Sequence, residues 1–153
     1  MAEKGRRYLL FAGGLALAAA ACGLALLIRS AQALPSEPQP VIWDKERCAE
    51  CQMAVSERGF AAQLQTKDGR VLDFDDPGCL ASYLDKRTPE VHAIFFHHLR
   101  EERWLASAEA RFVRIQPTPM AYGLGALDAR VPGALTWDQA RALVRDSNAR
   151  RRE

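Results

Sequence analysis

Charge is absent from one long stretch of the chain and regularly spaced through most of the rest. Residues 8–28, YLLFAGGLALAAAACGLALLI, carry no charged side chain. A helix of that length, at about 1.5 Å per residue, spans a hydrocarbon core of about 30 Å. Lys4, Arg6 and Arg7 precede it, so positive charge keeps the N-terminus in the cytoplasm and everything after Arg29 lies outside. The expectation is a cytoplasmic N-terminus over 1–7 and one N-terminal transmembrane helix over 8–28 in the inner, cytoplasmic membrane. Two cleaved alternatives share the run. Ala31-Gln32-Ala33 has the small-x-small pattern of a signal peptidase site, although the run exceeds a signal core of about 7–15 residues. Ala19-Ala20-Ala21-Cys22 is a degenerate lipoprotein site with Cys22 as the lipid-bearing residue. All three readings deliver the same domain to the periplasm or extracytoplasmic space.

Residues 30–40, SAQALPSEPQP, hold three prolines and no aromatic residue. The linker predicted over 29–42 is extended, at about 3.1 Å per residue and roughly 30 Å in all. Beyond it, apolar and polar positions alternate. Phe60, Ala62 and Leu64 share one face of a strand over 60–66, Lys67-Asp68-Gly69 is a turn, and Leu72 and Phe74 share a face of a strand over 70–75, which together read as a hairpin. Asp76 then caps a helix and Pro77 fits its first position. Cys79, Leu80, Tyr83 and Leu84 recur at helical spacing until about Lys86, ahead of Thr88-Pro89.

The second half is a looser copy. It holds a strand over 91–96, a connection over 101–107 that contains Trp104, and a strand over 110–116. A Pro- and Gly-rich loop follows, PTPMAYGLGALDARVPG. Thr136 and Gln139 form a capping box for a last helix, with Trp137, Ala140, Leu143 and Val144 on one face. The repeated order strand, strand, helix predicts an α+β fold of two related ββα lobes, over 43–90 and 91–153. Each lobe is too small to be comfortable alone, so the two are expected to share a core.

Composition changes this picture little. A length of 153 residues allows one ordinary domain or two very small ones. The net charge of +2 is too small to argue for nucleic acid, and the arginines of RALVRDSNARRRE read as a solvated helix end.

The chemistry concentrates in CAECQM, where Cys48, Cys51 and Met53 place three sulfur atoms in six residues. In an oxidising compartment two nearby cysteines form a disulfide by default. A Cys-x-x-Cys pair also serves as a redox couple or as half of a zinc site. Zinc calls for a second pair, which the sequence lacks, and His92, His97 and His98 do not repeat a zinc-finger spacing. Met53 shifts the balance, because thioether and thiolate together suit Cu(I). Its simpler reading is core filler, against which stand the charged residues on both sides. Met120 sits in a Pro- and Gly-built loop, either tucked under it or offered as a ligand. His97 and His98 end an apolar strand and point to opposite faces, so at most one joins an ion, and His98 is the candidate beside the simpler reading of a solvated strand end. Cys79 is most simply a buried apolar residue of the helix stripe; the alternative is that it reaches the hairpin and completes a three-sulfur site.

The blocks CAECQMAV, AAQLQTKDGRVLDFDDPGCLASYL, WLASAEARFV and TPMAYGLGALDA, in that order, resemble the NosL family, accessory proteins of nitrous oxide reductase that bind Cu(I) outside the cytoplasm. The resemblance covers most of residues 48–129, and its specificity lies in the combination of Cys-x-x-Cys-x-Met, Phe-Asp-Asp, Trp-x-x-Ala and Thr-Pro-Met. It implies two ββα lobes, also similar to part of organomercurial lyase, and delivery of copper without turnover. It places weight on Cys48, Cys51, Met53 and Met120. The implied partners are a copper-accepting apo-enzyme or an ABC-transporter component, with the inner membrane as support. Two departures stand out. Gln52 occupies a position that is commonly glycine in the family, where a positive φ would suit glycine better, and the chain resembles a transmembrane-anchored version of a family of lipoproteins. Two other functions fit the cysteines: a thiol–disulfide oxidoreductase acting on a copper site, and an interaction module with a structural disulfide.

Overall fold

The structure is a computed structural model that describes residues 23–24, 34–128 and 131–151. The expected membrane anchor over 8–28, apart from residues 23–24, and Cys22 lie outside the described residues. Among those described, no helix is long and apolar enough to cross a membrane. The chain divides into two compact units, Met1–Leu34 and Pro35–Glu153, and the second is the one described below.

Its class is mixed α+β. Strand β1 (Ala62–Thr66), strand β2 (Val71–Phe74) and helix α1 (Pro77–Arg87) come first. Strands β3 (Val91–His97), β4 (Trp104–Ala106), β5 (Arg111–Arg114) and β6 (Leu124–Leu127) follow, and helix α2 (Trp137–Arg150) closes the fold. The first four strands form one antiparallel sheet in the order β2-β1-β3-β4, and β5 pairs with β6 in a second.

The hairpin and both helices lie where the polarity pattern puts them. Asp76 caps α1 by accepting from the Gly78 amide at 2.7 Å, with Pro77 in the first turn. Thr136 and Gln139 close their capping box on α2. Ala140 and Val144 are buried, but Leu143, expected on the same face, is exposed.

Two strands were hidden in the sequence. Residues 101–107 read as a connection, yet Trp104, Leu105 and Ala106 pair with His97, Phe96 and Phe95. Three residues are too few to display an alternation. The loop after Pro119 contains β6, whose four residues are all buried. Small residues conceal it: a Cβ on Gly125 would meet the Leu99 side chain at 2.9 Å, so close packing excludes the bulky residues that mark a strand. The second half thus contributes four strands. Strands β3 and β4 extend the first hairpin, through Ala62 opposite Phe96 and Leu64 opposite Ile94, and the second strand-strand-helix order is β5, β6, α2.

One hydrophobic core takes residues from both halves, with Phe74, Leu80, Phe96, Phe112, Leu124 and Val144 among its members. Phe96 packs edge-on against Phe112 at 4.8 Å between ring centres and against Trp137 at 4.7 Å. Gln63 and Gln65 are also buried, and buried amides need partners. The stretch read as a linker supplies several of them, although Gln65 Oε1 is left without a hydrogen-bond partner among the described residues. The Gln39 amide donates to Gln63 Oε1 at 2.7 Å, and Gln65 Nε2 donates to the Glu37 carbonyl at 2.8 Å. The His92 ring meets the Pro35 carbonyl at 3.0 Å. Within 29–42, then, residues 35–39 lie along the sheet, and β1 is covered on both faces.

Candidate metal centre

Residues 42–55 form a tight loop held by its own backbone. The Cys48 amide donates to the Met53 carbonyl at 2.8 Å, the Gln52 amide to the Cys48 carbonyl at 2.9 Å, and the Val55 amide to the Glu46 carbonyl at 2.9 Å. The Ala49 amide, bonded to the Asp73 carbonyl at 2.9 Å, ties the loop to β2. The turn closes through Gln52, whose φ is +66°. That is the left-handed region, where a side chain costs about 1–2 kcal/mol. The Gln52 amide group offsets part of the cost by donating to the Cys48 carbonyl at 3.2 Å. The departure from the glycine pattern therefore falls where the backbone favours glycine.

The Sγ atoms of Cys48, Cys51 and Cys79 all lie within 4.8 Å of one another. Cys48 and Cys79 are buried, Cys51 is half-buried, and all three thiols are free. Cys79 arrives from the first turn of α1, where Asp76 fixes the start of the helix. Burial in the stripe and membership of a sulfur cluster are thus the same fact for Cys79. Nothing in its spacing connects it to residues some thirty positions earlier, so only the packing of α1 against the loop reveals it.

The three thiols differ in acidity. The Cys79 thiol donates to the Cys48 sulfur and lowers the Cys48 pKa to about 5, against the opposing effect of burial and with help from the backbone N–H groups of Cys51, Asp75 and Glu50. Cys79, holding the shared proton and buried, is pushed far up. Burial raises Cys51. One thiolate thus exists at neutral pH, stabilised by three amides and a thiol, while the other two keep their protons until something replaces them.

Met53 is 54% exposed, on the outer side of the loop. Met120 is half-buried and packs against the hydrophobic cluster that includes Cys48 and Cys79. Its amide donates to Asp76 Oδ2 at 3.3 Å, which ties the Thr-Pro-Met loop to the start of α1. His98 is buried, but its surroundings are different. Its Nδ1 accepts from the Arg100 amide at 3.2 Å, and its Nε2 lies 3.7 Å from Asp128. The His97 ring packs against Trp43 and Trp104, with centroid distances of 6.0 and 5.3 Å.

Asp75 and Asp76 act beside the sulfurs. Asp75 Oδ1 accepts from the Ser56 amide at 3.1 Å, and the Asp75 amide is one of the donors to Cys48. Burial, above all, pushes the Asp76 carboxyl up to about 6, against the stabilising effect of the Gly78, Met120 and Thr118 donors. The sequence identified Asp76 as a cap, but gave no sign that Asp75 supports the cysteine loop.

Three thiolates at metal–sulfur distances of about 2.3 Å in a trigonal plane would be about 4 Å apart. Sulfurs within 4.8 Å of one another reach that arrangement with little movement, and an all-sulfur donor set selects soft ions.

The chain superposes on the crystal structure of the copper chaperone NosL from Shewanella denitrificans with a TM-score of 0.52, covering 73% of this chain and 89% of that one. The fold is NosL-like. Identity between the two is 18%, so the likeness is one of fold. No family model matches the chain, and no curated protein matches it. The NosL-like fold brings into one cluster the three cysteines that the sequence had divided between a loop pair and a helix stripe.

Proposed function

We propose that this chain binds Cu(I) through Cys48, Cys51 and Cys79 and delivers it to an acceptor outside the cytoplasm. The single observation that carries the reading is the cluster of three sulfurs within 4.8 Å of one another. It gains support from the NosL-like fold, since the structural neighbour is a copper chaperone. The neutral thioethers of Met53 and Met120 are the further candidate ligands. A thioether needs no deprotonation, whereas a protonated thiol, here Cys51 and Cys79, must lose its proton to bind metal. A mixed set holds the ion yet lets it move by ligand exchange.

Delivery to nitrous oxide reductase or another copper enzyme, directly or through an ABC-transporter component, belongs to this proposal. So does attachment to the inner membrane by residues 8–28.

The test is a Cu(I) titration of the reduced 35–153 unit against a competing chelator. Wild type is expected to hold Cu(I), and the Cys48→Ser/Cys51→Ser/Met120→Leu variant to lose it. Cys79→Ser alone is expected to weaken binding by more than the roughly 10–100-fold cost of an outer-shell change. Unchanged affinity in the triple variant rejects the site.

A second reading rests on the Cys48 thiolate, whose pKa of about 5 beside two other thiols suits a thiol–disulfide oxidoreductase. It requires Cys48 and Cys51 to cycle and has no use for methionine. A reduction potential in the range of catalytic couples, roughly −120 to −270 mV, would favour it over copper delivery.

A further inference from the structure

We propose that Glu50 is a positioning residue of the three-sulfur site, an inference that rests on the copper-binding reading above. Glu50 stands between Cys48 and Cys51, and its side chain is 8% exposed because two cations close over it. Lys86 bonds to Oε1, and Arg87 Nη1 lies 2.6 Å from Oε2. Both cations belong to the last turn of α1, the helix that supplies Cys79. The ion triad therefore joins the loop with two of the sulfurs to the element with the third. Apart from the contacts of Cys79 with the Cys48 and Cys51 sulfurs, Glu50 makes the hydrogen bonds that join residues 48–53 to α1 among the described residues.

Exposed ion pairs contribute little, because water and salt screen them. This one differs in having a largely buried carboxylate that meets two cations at once. The helix presents Lys86 and Arg87 at its C-terminal end in any case, where the dipole favours positive charge. Glu50 is thus the half of the clamp that draws the loop in. Its own N–H donates to the Cys48 sulfur, so the side chain that holds the loop also holds a donor of the site. An ion bound by sulfurs on two elements is held only as firmly as the elements are held to each other, which is the condition for a preorganised site.

The test uses the reduced full chain and Glu50→Gln, which keeps the shape of the side chain and removes its charge. Cu(I) affinity, read by chelator competition, is expected to fall about 10-fold or more. Glu50→Lys combined with Lys86→Glu and Arg87→Glu reverses the clamp and is expected to recover most of that loss. A second readout needs no copper. Phenylarsine oxide condenses with two neighbouring thiols and releases water, and peptide mapping shows which two. Wild type is expected to give Cys79 linked to a loop cysteine, and Glu50→Gln to shift the product toward Cys48 linked to Cys51. An unchanged arsenical product in Glu50→Gln overturns the proposal, as does a lost affinity that the reversed clamp fails to recover. If wild type holds no Cu(I), the copper reading falls, and the arsenical product still decides the role of Glu50.

Discussion

The Asp76 carboxylate accepts from the Gly78 amide with one oxygen and from the Met120 amide with the other, at 2.7 and 3.3 Å. One buried side chain thus starts the helix of Cys79 and fastens the loop of Met120. This double role places a charge where water is excluded, and its pKa of about 6 reflects that burial.

A pH dependence of stability follows. A carboxyl with a folded pKa above its unfolded value favours the fold while protonated. The contribution is complete below about pH 4 and is lost as pH rises through about 6, and a shift of about two units corresponds to about 3 kcal/mol. Asp76→Asn keeps a capping side chain and cannot ionise. Urea unfolding from pH 4.5 to 7 should show wild type losing stability relative to Asp76→Asn as pH rises; parallel profiles would contradict the assignment.

The sulfur cluster should ionise in separate steps. Thiolate absorbance of the reduced 35–153 unit is expected to show one step near pH 5, from Cys48, with Cys51 and Cys79 ionising above the ordinary thiol range. Cys48→Ser should abolish the low step and lower the Cys79 pKa. Between about pH 6 and 8, Cu(I) would then displace protons from two thiols rather than three, and apparent affinity should rise about 100-fold per pH unit. A 1,000-fold rise would show that Cys48 is an ordinary thiol.

The turn at Gln52 stores backbone strain at φ +66°. Gln52→Gly relieves it but loses the side-chain bond to the Cys48 carbonyl and adds freedom to the unfolded chain. The expected result is a change within about 1 kcal/mol, whereas a β-branched Gln52→Val should cost about 1–2 kcal/mol or more. Thermal unfolding of the two variants measures the difference, and equal stabilities would contradict the strained turn.

Gly78 lies beneath the Tyr122 ring, and an added Cβ would stand 2.0 Å from Tyr122 Cγ. Tyr122 cannot retreat freely, because its hydroxyl lies 3.0 Å from Ser82 Oγ. Gly78→Ala should therefore destabilise the protein by about 1–3 kcal/mol, although alanine is the better helix former. Chemical denaturation of the variant checks the sign.

Much of this protein is local and was readable as such. Alternation around Leu64 and Phe74, the turn at Gly69, and the caps at Asp76 and Thr136 each depend on a few neighbouring residues, so the hairpin and both helices follow from the sequence. The pair Cys48–Cys51 was equally visible, whereas at Gln52 only the family resemblance marked a place where a positive φ would be uncomfortable, and the structure supplied that φ. What no local pattern carries is where the elements meet. Strand β4 is too short to show a period, β6 is built from residues chosen for close approach, and the burial of Gln63 and Gln65 depends on a segment more than twenty residues away. The same holds for the centre itself. Cys79 satisfies the helix stripe whether or not a sulfur waits beside it, and Glu50 looks solvated until Lys86 and Arg87 are set against it. The sequence determined the donors and the elements that carry them. The packing of α1 against the cysteine loop alone decided that three sulfurs share one place, because that contact joins residues about thirty positions apart and is made only when the core closes.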